Sequence, residues 1–246
     1  MDEENIEKQE EQKEIGDVLF GWKRKFDNFW YHYKIVAILG ILVLAFLIFC
    51  AAQCALKVKS DADIAYIGAG ELSTDDFNDI QNALSEILGE DFNGDGKIKV
   101  DFMQFEYMTS VQVENARAVG KPVDLQSIIA VQTQLDLMFN DGNIILYFID
   151  PAVYKELSQR TGLFMPLEDA LGYIPENAND VYTIKLGSLP CWDYYSGLYK
   201  LPANTVIAVR DMQVSEENND AMAERYRTNL ILLKRLVAFT FGSADD

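Results

Sequence analysis

The stretch "IVAILGILVLAFLIFCAA", Ile35 to Ala52, limits what the rest of this chain can be. No charge falls between Lys34 and Lys57, and residues 35–56 rise about 33 Å as a helix. A bilayer's hydrocarbon core is about 30 Å thick. A run this long, this free of charge and apolar on every face is expected to span a membrane and not to be a buried globular helix. It is also too long, and too far from the start, for a cleaved signal peptide. A lipid-anchor signal needs a small residue before its cysteine, but Cys50 follows Phe49 and Cys54 follows Gln53.

The flanks set the expected orientation. Lys23, Arg24, Lys25 and Lys34 precede the span; Lys57 and Lys59 follow it and meet Asp61 and Asp63 at once. Basic residues near helix ends favour the cytoplasmic side, so the N-terminus is expected in the cytoplasm. "FWYHY", Phe29 to Tyr33, supplies the amphipathic rings suited to the membrane boundary. The expected organisation is a cytoplasmic tail and juxtamembrane segment (1–34), a transmembrane helix (35–56), a short linker (57–61) and an extracellular domain (62–246). The first 20 residues are charged and poor in apolar side chains, and read as a disordered or loosely helical tail. Ile15, Val18, Leu19 and Trp22 could dock as one narrow stripe at the membrane surface.

Charge separates the tail from the domain. The tail to Lys34 holds nine acids against six bases, and Lys57 and Lys59 add two positive charges. That leaves −17 of the net −18 on the remainder. Such a surface repels nucleic acid and anionic lipid headgroups, and suits divalent cations, cationic or neutral ligands and basic partner surfaces. Cys50 and Cys54 lie in the span and Cys191 stands alone outside, so the outer domain must be held by its own core without a disulfide. About 190 residues suffice for that.

Along the outer domain, elements alternate. "ADIAYIGAG" (62–70) reads as a strand ending in glycines, and a helix follows from Ser73 or Thr74 with Phe77, Ile80, Leu84, Ile87 and Leu88 at helical spacing. "KIKVDFMQFEY" (97–107) alternates as a strand, and a looser stretch runs to Pro122. Residues 124–142 form the next helix, between Asp124 as cap and Gly142 as stop. "NIILYFIDP" (143–151) reads as a strand buried on both faces, and Pro151 opens another helix. This order predicts βαβ units in a three-layer α/β domain with a mainly parallel sheet. Two further strands, in 180–187 and 204–212, flank the aromatic "CWDYYSGLYKLP". A C-terminal amphipathic helix carries Met222, Tyr226, Leu230, Leu233 and Val237 along one side.

The pattern "LDLMFNDGNIILYFIDPAVYKEL", "GLFMPLEDAL" and "YYSGLYKLPANTVIAVR" resembles the first lobe of bacterial extracellular solute-binding proteins, over roughly residues 62–210. The aromatic element before the span is similar to that of small single-span proteins from clostridia-like bacteria. A full solute-binding protein has two lobes, so the resemblance implies a single lobe here and puts closure around a ligand in doubt.

Three places could carry chemistry. Asp91, Asn93 and Asp95 occupy the first three ligand positions of a calcium loop, with Gly96 at its turn and the Lys97 carbonyl next. Phe102 stands where the bidentate Glu belongs, and Asp101 comes one place early. A structural calcium and a solvated Asn-Gly/Asp-Gly turn therefore both remain open. In an open α/β sheet, ligands favour the carboxyl ends of strands, which points to Gly70, Glu71, Asp150 and Pro151. A dinucleotide fingerprint would need a third glycine where Ser73 stands. Trp192, Tyr194, Tyr195 and Tyr199 could stack on a sugar or an apolar partner, or fill core and rim.

The single histidine, His32, lies at the membrane boundary, so no Cys–His or Ser–His pair and no zinc set can form outside. The expected function is a non-catalytic, membrane-anchored binding or assembly module for another membrane or cell-surface protein or a small solute. The alternatives are a degenerate solute-binding component of a transport or sensing system, and a carboxylate-dependent hydrolase.

Overall fold

The computed structural model describes residues 29–31, 33–50, 58–213, 216 and 219–240. The acidic tail, the stripe from Ile15 to Trp22, the basic run Lys23–Lys25, His32 and the end of the apolar stretch beyond Cys50 lie outside the described residues. The chain divides at Lys57 into two compact units. In the first, helix α1 (Tyr33–Cys50) has a mean hydropathy of 2.7 and buries none of its length. Ile35, Val36, Ile38, Ile41 and Leu44 all stand exposed around its circumference.

The second unit is an α/β domain. Its elements run β1 (Ala62–Gly68), α2 (Thr74–Leu88), β2 (Val100–Glu106), α3 (Ser110–Ala118), α4 (Leu125–Asp141), β3 (Leu146–Ile149), α5 (Pro151–Leu157), α6 (Leu167–Leu171), β4 (Thr183–Lys185), α7 (Pro190–Tyr194), β5 (Val206–Val209) and α8 (Asp220–Val237). The five strands form one sheet in the order β2-β1-β3-β5-β4. β1 pairs in parallel with both β2 and β3, while β5 runs antiparallel to β3 and β4. The sheet is thus mixed, mostly parallel.

The reversal of β5 has a local cause. After α7, the 3₁₀ turn Ser196–Lys200 runs back beside α2, and Lys200 Nζ pairs with Asp76 in that helix's first turn at 2.9 Å. A Cβ on Gly197 would strike the Asp79 carbonyl, so only glycine permits this approach. The chain therefore re-enters the sheet from the carboxyl edge, and Val206 pairs with Ile149, the last residue of β3.

Alternation along the strands separates two apolar clusters. Ile64, Tyr66, Phe102 and Phe148 belong to one, with Ile80, Leu84 and Leu88 of α2 and Leu232, Leu233 and Leu236 of α8. Ala65, Ile67, Tyr147 and Ile149 belong to the other, with Leu135 and Phe139 of α4 and Val153 and Leu157 of α5. Strand residues next to one another in sequence point to opposite faces, so each cluster occupies one face. The buried line of α8 passes through Tyr226, Asn229, Leu232, Leu233 and Leu236; Met222, Leu230 and Val237 only pack against its margin.

α2 forms because Ser73 caps it while Asp76 reaches back to the Ser73 N–H, and Gly89 ends it in a left-handed conformation. α3 repeats the first device with Thr109 and Gln112. It occupies most of the stretch read from sequence as loose.

Candidate functional site

The connections leaving β1 and β3 depart to opposite faces: α2 packs on one cluster, α5 on the other. Neighbouring parallel strands whose helices diverge leave a crevice at their carboxyl ends, where ligands of open α/β sheets bind. Gly68 ends β1, Gly70 and Glu71 follow it, and Asp150 follows β3. Gly70 and Glu71 are exposed, and Asp150 is half-buried.

The crevice is shaped by tethers. Gln104 on β2 donates from Nε2 to the Gly70 carbonyl and accepts from Leu72 N–H at 3.1 Å, which fixes the turn after β1. Asp150 N–H donates to the Ile67 carbonyl at 2.8 Å, tying β3's end to β1. Asp150 Oδ1 accepts Ala152 N–H at 2.8 Å and caps α5.

Tyr66 is 3 % exposed, with its ring stacked over Phe102 at 6.4 Å. Its phenol extends along β1 to Gly68, where a Cβ would lie 2.5 Å from the hydroxyl oxygen. Burial raises the Tyr66 pKa above the ordinary phenol value, and the Asp150 charge adds to the rise.

The helices that follow β1, β2 and β3 cap themselves. Ser73 and Asp76, Thr109 and Gln112, and Asp150 each occupy their own helix's first N–H groups. Lys200 is committed to Asp76 and Asp79. The Lys200 hydrogen bond, followed by those from Ser73, holds the Asp76 carboxyl at about 2.

The aromatic residues lie elsewhere. Tyr195 packs against Phe239 at 5.5 Å, and its phenol pKa is raised by burial and then by Glu86, near the end of α2. Glu71 precedes the start of α2. A helix of 15 residues rises about 22 Å, so Tyr195 and the crevice sit at opposite ends of it. Trp192 meets Tyr199 edge to face at 4.5 Å, Tyr194 packs on Phe239 at 5.2 Å, and the Tyr199 hydroxyl donates to the Asp193 carbonyl at 2.9 Å. Tyr194 and Tyr195 thus meet Phe239, just past α8, while Trp192 packs on Tyr199, the neighbour of the Lys200 that pairs with Asp76. They clamp α7 and α8.

The acidic loop lies at the amino edge. Asp91 Oδ1 and Oδ2 accept the Gly94 and Gly96 N–H groups, each at 2.7 Å. Asn93 Oδ1 accepts Asp95 N–H, and Asp95 accepts the N–H groups of Lys97 and Lys59, all at 3.0 Å. The Gly96 N–H above all holds the Asp91 carboxyl below the usual range. Gly96 has φ +83°, which explains glycine there. Asp101 points away to Lys99 at 2.6 Å. Among the described residues, no group of three or more His, Cys, Asp or Glu is placed to hold a metal ion.

Asp61, read from sequence as linker, organises this loop. It accepts from Phe92, Asn93 and Lys99 N–H at 2.8, 3.0 and 2.9 Å, and its own N–H donates to the Lys99 carbonyl. The signal available was weak: one acid just before a strand. Tyr66 was also missed, although a tyrosine two places before a glycine at a strand's end marks a ring lying along the chain.

No family model matches the chain, and neither a curated protein nor a solved structure does.

Proposed function

We propose that α1 anchors the chain in a membrane, with its N-terminal side in the cytoplasm, and that the second unit is a non-catalytic extracellular binding module whose ligand enters the crevice between β1 and β3. The observation that carries the reading is the divergence of α2 and α5 at the adjacent ends of β1 and β3, with two glycines and two carboxylates at the mouth. Helices packed on both apolar clusters support a three-layer reading, which suits the likeness to one lobe of a solute-binding protein. The 18-residue apolar helix, with exposed Ile, Leu and Phe on all sides, supports the anchor. Burial pushes the Cys191 thiol up to about 12, which keeps this cysteine protonated and poorly nucleophilic.

The test is shaving of intact cells that make the chain with a tag at each end. Protease added outside should remove the C-terminal tag and spare the N-terminal one. The opposite pattern, or protection of both tags, would remove the anchored, outward-facing reading.

A further inference from the structure

We propose that the crevice takes a protonated amine, its N–H groups donating to the Tyr66 hydroxyl and the Asp150 carboxylate. This rests on the reading above that the crevice is the binding site. A buried phenol normally finds a hydrogen-bond partner, because leaving it dry and unpaired is costly. Tyr66 is 3 % exposed, yet its hydroxyl makes no hydrogen bond among the described residues. The buried polar atoms without a partner are Tyr147 Oη, Trp192 Nε1, Thr205 Oγ1 and Asn229 Oδ1. The Tyr66 hydroxyl is not one of them, so it keeps some exposure to solvent at the end of β1. Its oxygen lies over Gly68, and the β1–β3 register, with Asp150 N–H bonded to the Ile67 carbonyl, sets Gly68 beside Asp150. Asp150 uses Oδ1 for the cap of α5, and Oδ2 receives no donor among the described residues. Two acceptor oxygens therefore face one opening from β1 and β3.

The same edge offers an anion nothing. The helix N-termini are occupied by their own caps, and Lys200 is paired twice. Glu71 adds a further negative charge at the mouth. A neutral ligand could use the hydroxyl but would leave the acidic rim without a counter-charge. An ammonium group uses both, and hydrogen bonds to a charged partner are the strong ones. Gly70 is exposed, and a Cβ there would meet nothing within 4 Å.

The test uses the full chain in lipid nanodiscs, titrated calorimetrically with 1,4-diaminobutane, butylamine, butyrate and a neutral sugar. Both amines should bind saturably, and butyrate should not. Tyr66→Phe removes only an oxygen that bonds nothing in the protein, so it should keep the melting temperature and weaken amine binding by about ten- to a hundredfold. Asp150→Asn, which still caps α5, should weaken it similarly. Gly70→Trp fills open space and should abolish binding. Amine binding that Tyr66→Phe leaves unchanged, or no amine binding to the native chain, overturns the proposal. The reading of the crevice itself survives that result if butyrate or the sugar binds and Gly70→Trp blocks it. It falls too if whatever binds is indifferent to Gly70→Trp.

Discussion

At the amino edge of the sheet, the carboxylates of Asp61, Asp91 and Asp95 accept seven backbone N–H groups between them. At the carboxyl edge, Asp150 accepts one and the Tyr66 hydroxyl none. The same contrast holds for charge buried near each edge. Beyond the end of β5, at the amino edge, Arg210 is 1 % exposed and fully engaged. Its Nε donates to the Phe139 carbonyl at 2.6 Å, its Nη1 to the Tyr226 hydroxyl at 2.8 Å, and both terminal nitrogens to Glu216 at 2.9 Å. An edge whose polar atoms consume one another is built for stability. One that leaves an acceptor pair open is, on the proposal above, where a ligand would be held.

The largest expected effect breaks the closed edge. Arg210→Met leaves the Glu216 carboxylate, the Tyr226 hydroxyl and the Phe139 carbonyl without their donor, and should cost about 3–5 kcal/mol in denaturant unfolding. Tyr66→Phe, at the open edge, should stay within about 0.5 kcal/mol of the native chain. If the two losses are comparable, the contrast between the edges fails. Gly68→Ala comes next. Its methyl would meet the Tyr66 hydroxyl and ring carbon at 2.5 and 2.7 Å, and overpacking of this kind costs about 1–3 kcal/mol. In a double-mutant cycle with Tyr66→Val, the Gly68→Ala penalty should shrink, which would locate the strain in that pair.

How much of this was legible follows from which features are local. α2 and α4 could be read because a cap, an apolar spacing and a terminal glycine all lie within one helix. α3 was read as loose chain because it buries only Val113 and Ala116, too few to mark a period. The direction of β5 was invisible, since it depends on how Gly197 lets the preceding turn approach Asp79. For the site, Gly70, Glu71 and Asp150 follow from the order of strands and helices alone. The packing of Tyr194 and Tyr195 on Phe239 does not, because it joins α7 to the chain just past α8. Tyr66 looked like one more apolar strand residue; its hydroxyl enters the proposal only through Asp150, just past the end of a different strand.

Asp61→Ala sharpens the amino-edge half of the contrast. Three backbone N–H groups lose their acceptor, and solvent can replace part of it because Asn93 is exposed. A loss of about 1–2 kcal/mol is expected, with faster amide exchange at Phe92, Asn93 and Lys99. Acid should act on the same edge. Burial alone would raise the Glu216 pKa, but the Arg210 hydrogen bonds and charge outweigh it and leave it below the usual 4.5. A depressed folded pKa contributes stability above the unfolded value, and that stability is lost as pH falls through the folded one. Unfolding free energy should therefore drop below about pH 4.5 more steeply in the native chain than in Arg210→Met. Parallel curves would show that Glu216 gains nothing from Arg210.

The smallest effect separates the two readings of the acidic loop. A turn whose carboxylates already hold their own backbone has little left for a cation, so a chelator should shift the melting temperature by less than about a degree. A site filled by calcium would behave otherwise, because binding to the folded state alone adds stability in proportion to the logarithm of metal concentration. A clear drop on chelation that Asp91→Ala with Asp95→Ala erases would make the loop a structural calcium site. The amino edge would then also bind a ligand, and the difference between the edges would become one of which cation each receives: a hard metal ion at one, an ammonium group at the other.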